Sequence, residues 1–289
     1  MATPDAARAL EGQRALVTGG GTGIGFGITR CLLEAGAAVT IAARRLEVLE
    51  EAAKSLRAEI PDAELSVVEC DITKADQVER AVAVAAGPDG SLEIAVANAG
   101  SAAPGPFLLL DDEAWRFCCE LNVIGTASTI RHAALAMRER GGSIVAISSA
   151  GAAAPEKSMA AYSSTKAALD MMVKCAAMEL GPYGIRVNSI QPGFVPHAVL
   201  EAVFPEELRR ELIEQRTPLR RAGRPEEIGG MVVYLSGSGG SWITGQVIGV
   251  DGGMTAQAMG DLTPIAELVH GEQAVRDALE PKGGGSQPS

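Results

Sequence analysis

The chain alternates between short apolar runs and longer segments in which apolar residues recur every three or four positions. Runs of the first kind are typical of strands buried on both faces, and segments of the second kind are typical of helices that cover a sheet. The predicted strands are RALVTG, AAVTIAAR, ELSVVECD, LEIAVANAG, GSIVAISSA, GIRVNSIQPG and GQVIGVDGG. Because helical segments separate most of these strands, the pattern predicts an α/β fold with a parallel sheet of about seven strands.

The same pattern predicts how the chain is divided. The helical segments include a long one from about Asp112 to Met137, and another that contains AAYSSTKAALD. No long linker interrupts the alternation, which predicts one domain over residues 1–255. Residues 256–289 are predicted to be an extension that is partly helical in PIAELVHGEQAVRDALE and then flexible in PKGGGSQPS.

Composition and charge narrow the class of protein. The formal net charge of −11 repels a phosphate backbone and disfavours nucleic-acid binding. No apolar run approaches the roughly 20 residues of a membrane span, and the N-terminal residues lack the pattern of a signal peptide. The five cysteines include no CxxC pair and the three histidines form no HExxH motif, so no metal site is predicted. We therefore expect a soluble cytoplasmic protein without a nucleic-acid or membrane partner.

A glycine-rich segment, VTGGGTGIGFG, follows the first predicted strand and opens the first predicted helix. Backbone amides at such a turn bind pyrophosphate, because they lie at the positive end of a helix dipole. A Walker-type loop is excluded because Phe26 stands where that motif requires lysine. A tight turn without a ligand is the alternative, but the position after the first strand favours a dinucleotide site. The predicted contacts are Gly19, Gly21, Thr22, Gly23, Ile24 and Gly25.

The end of the second predicted strand bears on which dinucleotide binds. NAD-selective sites carry an acidic residue at this point, whereas NADP-selective sites replace it and add a cation. Here Ala43 is neutral, and Arg44 and Arg45 follow it. Arginine binds a phosphate through two parallel hydrogen bonds, so the pattern favours NADP(H), with NAD(H) as the alternative. The competing interpretation is that both arginines only begin a solvated helix.

Eight short motifs occur in a fixed order along the chain. They are TGxxxGIG at Thr18 to Gly25, CD with Asp71, NAG at Asn98 to Gly100, LNVIG with Asn122, ISS with Ser149, YxxxK at Tyr162 and Lys166, RVNSIQPG at Arg186 to Gly193, and VDGG at Val250 to Gly253. In these motifs the chain resembles the short-chain dehydrogenase/reductase family over about residues 10–255, and is similar to 3-oxoacyl-[acyl-carrier-protein] reductases. The resemblance implies a single Rossmann-type, doubly wound domain that moves a hydride between a nicotinamide cofactor and a carbonyl or alcohol substrate.

The resemblance assigns roles to individual residues. Tyr162 would be the general acid/base, Lys166 would lower the pKa of Tyr162 and bind the nicotinamide ribose, and Ser149 would donate to the substrate oxygen. Ser149 is selected over Ser148 because it lies thirteen residues before the tyrosine. Asn122 would act through a helix irregularity and a water linked to Lys166, with an ordinary helix-interior asparagine as the alternative. The other implied cofactor contacts are Asp71, Ile72, Asn98, Ala99, Gly100, Tyr162, Lys166, Pro192, Gly193 and Val195.

Two positions depart from the family pattern. ANAG, with Ala97, replaces the usual NNAG, and His197 stands where family members commonly have threonine. His197 replaces that cofactor contact, faces the substrate or points outward, and the sequence does not decide between these. The resemblance implies a lid over residues 194–219. Its apolar stretch FVPHAVLEAVF favours a hydrophobic or acyl-thioester substrate.

Other functions fit the motifs less well. No GxSxG elbow surrounds either serine, which disfavours a hydrolase. The divergent enoyl reductases of the superfamily space tyrosine and lysine more widely, but position 169 here is Leu169. A methyltransferase would not explain the serine, tyrosine and lysine together. The alternative from another class is a catalytically silent, dinucleotide-binding sensor of the same fold. By resemblance, the protein would form a homotetramer or a homodimer.

Overall fold

The structure is a computed structural model that describes residues 9–196, 204–256 and 262–279. Contacts divide the chain into two units, one up to Thr255 and one from Ala256. The first unit contains one sheet. Its strands are β1 (Arg14–Thr18), β2 (Ala38–Ala43), β3 (Leu65–Glu69), β4 (Ile94–Ala97), β5 (Gly142–Ile147), β6 (Ile185–Pro192) and β7 (Val247–Val250).

The seven strands are all parallel and lie in the order β3-β2-β1-β4-β5-β6-β7. The chain winds outward from β1 to β3, crosses back to β4, and then winds outward in the other direction. A crevice opens at the carboxyl ends of β1 and β4, because the connections from these two neighbours lead to opposite sides. The predicted seven-stranded, parallel, doubly wound sheet is confirmed.

Helices connect the strands. They are α1 (Gly23–Glu34), α2 (Leu46–Glu59), α3 (Ala75–Ala86), α4 (Asp112–Cys118), α5 (Thr126–Met137), α6 (Ala160–Leu180), α7 (Glu206–Glu214) and α8 (Pro225–Ser236). A π-helical segment, Cys119–Gly125, joins α4 to α5. The predicted long helix from residue 112 to residue 137 is therefore present without interruption, and it widens by about one residue per turn in its middle, around Asn122, where the resemblance implied an irregularity.

Neighbouring residues of each strand pack on opposite faces of the sheet. Ala15 and Val17 of β1 belong to the core formed with α1, α2 and α8. Leu16, between them, belongs to the core formed with α3, α5 and α6. Both faces of a strand are thus buried, which explains the nearly continuous apolar runs of the sequence. Truncating a fully buried leucine such as Leu16 to alanine would cost about 2–5 kcal/mol.

The second unit contains two helices, α9 (Thr263–His270) and α10 (Glu272–Leu279), separated by Gly271. Their positions match the helical periodicity of the extension, and PKGGGSQPS lies outside the described residues. Within the residues that the structure describes, no helix is long and apolar enough to cross a membrane.

Candidate active site

A cleft of about 650 Å³ lies at the carboxyl ends of the central strands. Its walls come from the segments that follow β1, β2, β3, β4, β5 and β6, and so from both halves of the sheet. The structure brings together there all the predicted cofactor residues, namely Gly19, Gly21, Thr22, Gly23, Ile24, Gly25, Arg44, Arg45, Asp71, Ile72, Asn98, Ala99, Gly100, Tyr162, Lys166, Pro192, Gly193 and Val195. Ser149 also lines the cleft, whereas Asn122 lies buried behind its wall.

The loop between β1 and α1 makes a tight approach to the crevice. A Cβ at Gly25 would overlap the carbonyl oxygen of Gly19 and lie 2.6 Å from Nδ2 of Asn98. Gly19 itself has a φ of 67°, which favours glycine. The side chain of Thr22, at the start of α1, makes no capping hydrogen bond. The first amides of α1 are therefore left to bind an anion such as a phosphate.

Thr18 and Asn98 join the ends of the two central strands. Thr18 Oγ1 accepts hydrogen bonds from the backbone nitrogens of Asn98 (3.0 Å) and Ala99 (3.1 Å). Asn98 Nδ2 donates to the carbonyl oxygens of Thr18 (2.9 Å) and Gly19 (3.2 Å). The side chain of Asn98 thus holds the glycine loop in place. Thr18 was not predicted as a site residue, although the motif TGxxxGIG begins with it.

Charged side chains gather where β2 and β3 end. Arg44 and Arg45 follow β2 and are exposed. Burial alone would raise the pKa of Asp71, but hydrogen bonds from the backbone and hydroxyl of Thr73 and the charges of Arg44 and Lys74 outweigh it. The pKa of Asp71 therefore lies below its usual value. Its Oδ1 accepts from the nitrogen (3.0 Å) and Oγ1 (2.9 Å) of Thr73, which fixes the carboxylate at the edge of the cleft.

Tyr162 and Lys166 lie one turn apart on α6, beside the end of β5. Lys166 Nζ donates to the carbonyl oxygen of Ile147 (2.8 Å) and lies 5.7 Å from the centroid of the Tyr162 ring. The lysine is buried, and this burial lowers its pKa to about 8, although the Asp170 carboxylate acts in the opposite direction. An ammonium held in this way is a partner for the phenol and for a ribose hydroxyl.

The pKa of Tyr162 departs from the sequence-based expectation. Burial raises this pKa above its usual value, and the charge of Glu156 adds to the effect, whereas a hydrogen bond with Ser149 opposes it. The resemblance implied a lowering by Lys166. In the polypeptide itself burial has the larger effect on the pKa of Tyr162, because it destabilises the phenolate more than the neighbouring groups stabilise it.

The two adjacent serines have different partners. Ser148 is buried, and its Oγ donates to the backbone carbonyl oxygen of Lys166 (3.3 Å). Ser149 Oγ accepts from the backbone nitrogen of Gly151 (3.1 Å) and is hydrogen-bonded to the side chain of Tyr162. The structure therefore places the hydroxyl of Ser149, and not that of Ser148, beside the tyrosine.

Asn122 lies in the π-helical segment and is fully buried. Its Oδ1 accepts from the backbone nitrogen of Ser101 (3.0 Å), and its Nδ2 donates to the carbonyl oxygen of Ser101 (2.8 Å) and to Thr165 Oγ1 (3.0 Å). A Cβ at Gly100 would lie 3.0 Å from Asn122 Oδ1 and 3.2 Å from Lys166 Nζ, so both side chains approach the same glycine. The expected helix irregularity is present, and the link through a water stays a prediction.

The segment expected to form a lid is described only in part. His197 and the rest of residues 197–203 lie outside the described residues, so the role of His197 stays open. On either side of them, the rings of Phe194 and Phe204 stack with centroids 5.9 Å apart. Both phenylalanines line the cleft, together with Leu212. This wall is apolar, and Glu156, which no motif indicated, adds a carboxylate to the cleft.

Comparisons with known proteins agree with this geometry. The model of a family described as enoyl-(acyl carrier protein) reductase matches residues 19–255. A solved short-chain type dehydrogenase/reductase from Mycobacterium ulcerans is 38% identical, with a TM-score of 0.83 over 93% of this chain and 98% of the other. Cis-4-hydroxycyclohexanecarboxylate dehydrogenase of Sinomonas cyclohexanicum is 37% identical over 84% of this chain and 96% of its own length.

A third similar protein was solved with ligands in place. It is a 7α-hydroxysteroid dehydrogenase in complex with NADH and 7-oxo glycochenodeoxycholic acid, 31% identical, with a TM-score of 0.81 over 88% of this chain and 98% of the other. The matches extend over nearly all of the first unit and combine sequence identity with a shared fold. The chain therefore belongs to the short-chain dehydrogenase/reductase family, whose members are NAD(P)(H)-dependent oxidoreductases acting on hydroxyl and carbonyl groups.

Proposed function

We propose that the protein is an NADP(H)-dependent oxidoreductase that interconverts a carbonyl and a secondary alcohol, with Tyr162 as the general acid/base. The observation that carries this proposal is the meeting of Ser149, Tyr162 and Lys166 in the cleft that also contains the glycine loop. Because the hydroxyls of Ser149 and Tyr162 are hydrogen-bonded to each other, one substrate oxygen placed between them accepts from both.

The residues around the cleft fit a dinucleotide. The uncapped first turn of α1 offers amides for the pyrophosphate, and the missing side chain at Gly25 lets this turn pack closely against Gly19 and Asn98. Asp71 would accept from the adenine amine, and Lys166 would bind the nicotinamide ribose. When bound, the nicotinamide supplies or accepts the hydride.

The preference for NADP(H) rests on the end of β2. Ala43 offers no carboxylate to the ribose hydroxyls, and the exposed guanidinium groups of Arg44 and Arg45 follow it at the wall of the cleft. A phosphate on the ribose would have two cations near it at this point. The 7α-hydroxysteroid dehydrogenase neighbour holds NADH, so the proposal depends on the residues of this chain and not on that relative.

The proton comes from Tyr162. Its raised pKa keeps the hydroxyl protonated at neutral pH, which suits donation to the oxygen of a carbonyl as it is reduced. Ser149 holds that oxygen in place, and Lys166, fixed by the Ile147 carbonyl, brings positive charge to the phenol as it loses its proton. Asn122 would hold this arrangement in place through its hydrogen bonds with Ser101.

The walls of the cleft support a hydrophobic or acyl-thioester substrate. Several apolar side chains line the cleft: Leu121, Met159, Phe194, Phe204, Leu212 and Met254. We also propose a homotetramer or a homodimer. The large exposed methionines of α6, Met171 and Met178, support this assembly, because side chains of this kind are commonly covered by another subunit.

The test of the proposed function is Tyr162→Phe, assayed by the absorbance of NADPH against a panel of apolar ketones. The wild type should reduce at least one ketone, and the variant should lose about 10²–10⁴-fold in kcat because no acid replaces the phenol. NADPH binding, measured by its fluorescence, should be unchanged. Equal turnover by the two proteins would refute the role of Tyr162. Full NADPH binding by a wild type that is silent on every ketone would favour a sensor.

A further inference from the structure

Glu156 lies on the wall of the cleft, in the segment that leads from β5 to α6. A Cβ at Gly151 would lie 3.0 Å from Glu156 Oε2, 3.2 Å from Ser163 Oγ and 3.4 Å from Ser149 Oγ. Three side-chain oxygens therefore surround one small volume, and one of them belongs to the serine proposed to hold the substrate oxygen. The missing side chain at position 151 leaves this volume open.

Two of these side chains lack hydrogen-bond partners within the described ranges. In the part of the chain that the structure describes, the Glu156 carboxylate has neither a hydrogen-bond donor nor a cation beside it. Ser163 Oγ is buried, and it too has no hydrogen-bond partner among the described residues. Glu156 is exposed as a residue, and the walls of the cleft around its carboxylate raise its pKa above the usual value.

The other charges of the cleft are placed elsewhere. Arg44 and Arg45 follow β2, and Asp71 follows β3. These strands lie three and four positions from β5 in the sheet, or about 14 and 19 Å at the usual strand spacing. Lys166 is at the same end as Glu156, but it is buried and bonded to Ile147. Of the charged side chains described in the wall, Glu156 is thus the one left to meet a substrate group near the reacting carbon.

The carboxylate also acts on the reacting group. Its charge is one of the causes that raise the pKa of Tyr162, so the carboxylate lies close enough to act on the phenol. A carboxylate in this place favours an ammonium or a hydroxyl donor and repels a second carboxylate. The apolar side chains around it, such as Met159, cannot supply that donor.

We propose that Glu156 determines substrate specificity: its carboxylate accepts a hydrogen bond from an ammonium or hydroxyl group carried next to the substrate carbonyl, and it excludes substrates with a carboxylate there. This inference rests on the proposed carbonyl–alcohol activity. It narrows the substrate class from any hydrophobic carbonyl compound to one with an apolar body and a donor group beside the reacting carbon.

The experiment uses four phenyl ketones that differ in one group: propiophenone, α-hydroxyacetophenone, α-aminoacetophenone and benzoylacetate, with methyl, hydroxyl, ammonium and carboxylate groups respectively. The ratio of kcat/KM between wild type and Glu156→Gln is measured for each ketone, which cancels the intrinsic reactivity of the carbonyl. We expect the variant to lose about tenfold on the ammonium ketone and to gain about tenfold on the carboxylate. The ratio for the methyl ketone also carries the effect of the Glu156 charge on the pKa of Tyr162, so the other three ratios are divided by it.

Glu113→Gln is the matched control, because it removes an exposed carboxylate of α4 that does not line the cleft. It should leave all four ratios near one. If kcat/KM falls only for the ammonium ketone, Glu156 recognises a cation. If kcat/KM falls similarly for the hydroxyl ketone, Glu156 accepts from an ammonium or a hydroxyl group. Equal ratios for all four ketones overturn the role of Glu156 while turnover of propiophenone upholds the proposed function. A wild type inactive on all four overturns both.

Discussion

The two ends of the cleft differ in what they are made of. Where β1, β2 and β3 end, the groups available to a ligand are backbone amides, exposed arginines and the carboxylate of Asp71. Where β4 and β5 end, they are half-buried or buried side chains held by backbone carbonyls, such as Lys166 on Ile147 and Asn122 on Ser101. Most side-chain substitutions at the first end should leave the site intact unless the new Cβ overlaps another atom. At the second end, removing any one polar partner should disturb the site. Substitutions at the first end should therefore change binding, and those at the second should change turnover and pH dependence.

The largest effect is expected from Gly25→Ala. Its Cβ would overlap the carbonyl oxygen of Gly19, so the loop and α1 must move apart. We expect NADPH binding to weaken at least about 100-fold and the free energy of unfolding to fall by about 3 kcal/mol. Fluorescence titration and urea unfolding measure the two.

The control for that variant is Gly230→Ala in α8, where nothing lies within 4 Å of the added Cβ. This change should leave NADPH binding as it is and raise stability by up to about 1 kcal/mol, since alanine favours helix. If both glycine variants bound NADPH like the wild type, the first end of the cleft would not be the backbone-built site described above.

Ser149→Ala and Ser148→Ala form the next pair. Removing the Ser149 hydroxyl should lower kcat by about 10²–10³-fold with little change in stability, because this hydroxyl is beside Tyr162. Removing the Ser148 hydroxyl, which bonds the Lys166 carbonyl, should cost about 1 kcal/mol of stability and little kcat. Steady-state kinetics and urea unfolding separate them, and a larger kcat loss in Ser148→Ala would reverse the assignment.

A smaller effect is expected on the free energy of unfolding, compared between the wild type and Lys166→Met at different pH values. The pKa of Lys166 is about 8 in the folded protein and about 10.4 in an unfolded chain. Between these values the unfolded state binds more protons, so raising the pH stabilises the wild type relative to the variant, by roughly 2–3 kcal/mol between pH 7 and 10.

Urea unfolding of both proteins at the two pH values gives this difference. The thiols of Cys31 and Cys70, whose pKa burial raises to about 11 in each case, titrate in the opposite sense, but they do so in both proteins and cancel. A stability difference that does not depend on pH would mean that the ammonium of Lys166 is solvated rather than buried.

The smallest effect is expected at the exposed end. Arg44→Asp should weaken NADPH binding about 30-fold and NADH binding less than about threefold, because only NADPH carries the ribose phosphate. Lys54→Asp on α2 makes the same change of charge outside the cleft, and should affect both cofactors equally and weakly. Equal losses of NADPH and NADH in Arg44→Asp would remove the argument for NADP(H).

The sequence predicted the sheet well because each strand is buried on both faces, as in β5, and such strands stand out as apolar runs. The position of Arg44 followed from the end of the second predicted strand, and that of Asp71 from the family resemblance. The irregularity of the long helix at Asn122 was expected from the family resemblance alone, because a π-helical turn has no compositional signature and is held by contacts with Ser101, distant in sequence.

The directions of the pKa shifts in the site could not be predicted from the sequence either. The direction of the pKa shift of Tyr162 depends on how deeply α6 packs against β5, and spacing along the chain does not give that depth. Glu156 belongs to no motif, and its place beside Ser149 results from the turn at Gly151. Residue types could be assigned from motifs, whereas their burial and their neighbours required the folded chain.

The π-helical segment at residues 119–125 is equivalent to one residue more than an ordinary helix needs. Deleting a single residue there would convert the widened turn into an ordinary α-helical turn, and α4 and α5 would keep nearly the same rotational phase relative to each other. The side chains within the turn itself would change direction, so Asn122 would lose its alignment with Ser101 and Thr165. The extra residue thus sets where Asn122 points while the flanking helices keep their packing, and the loss of one codon here would act on the site more than on the fold.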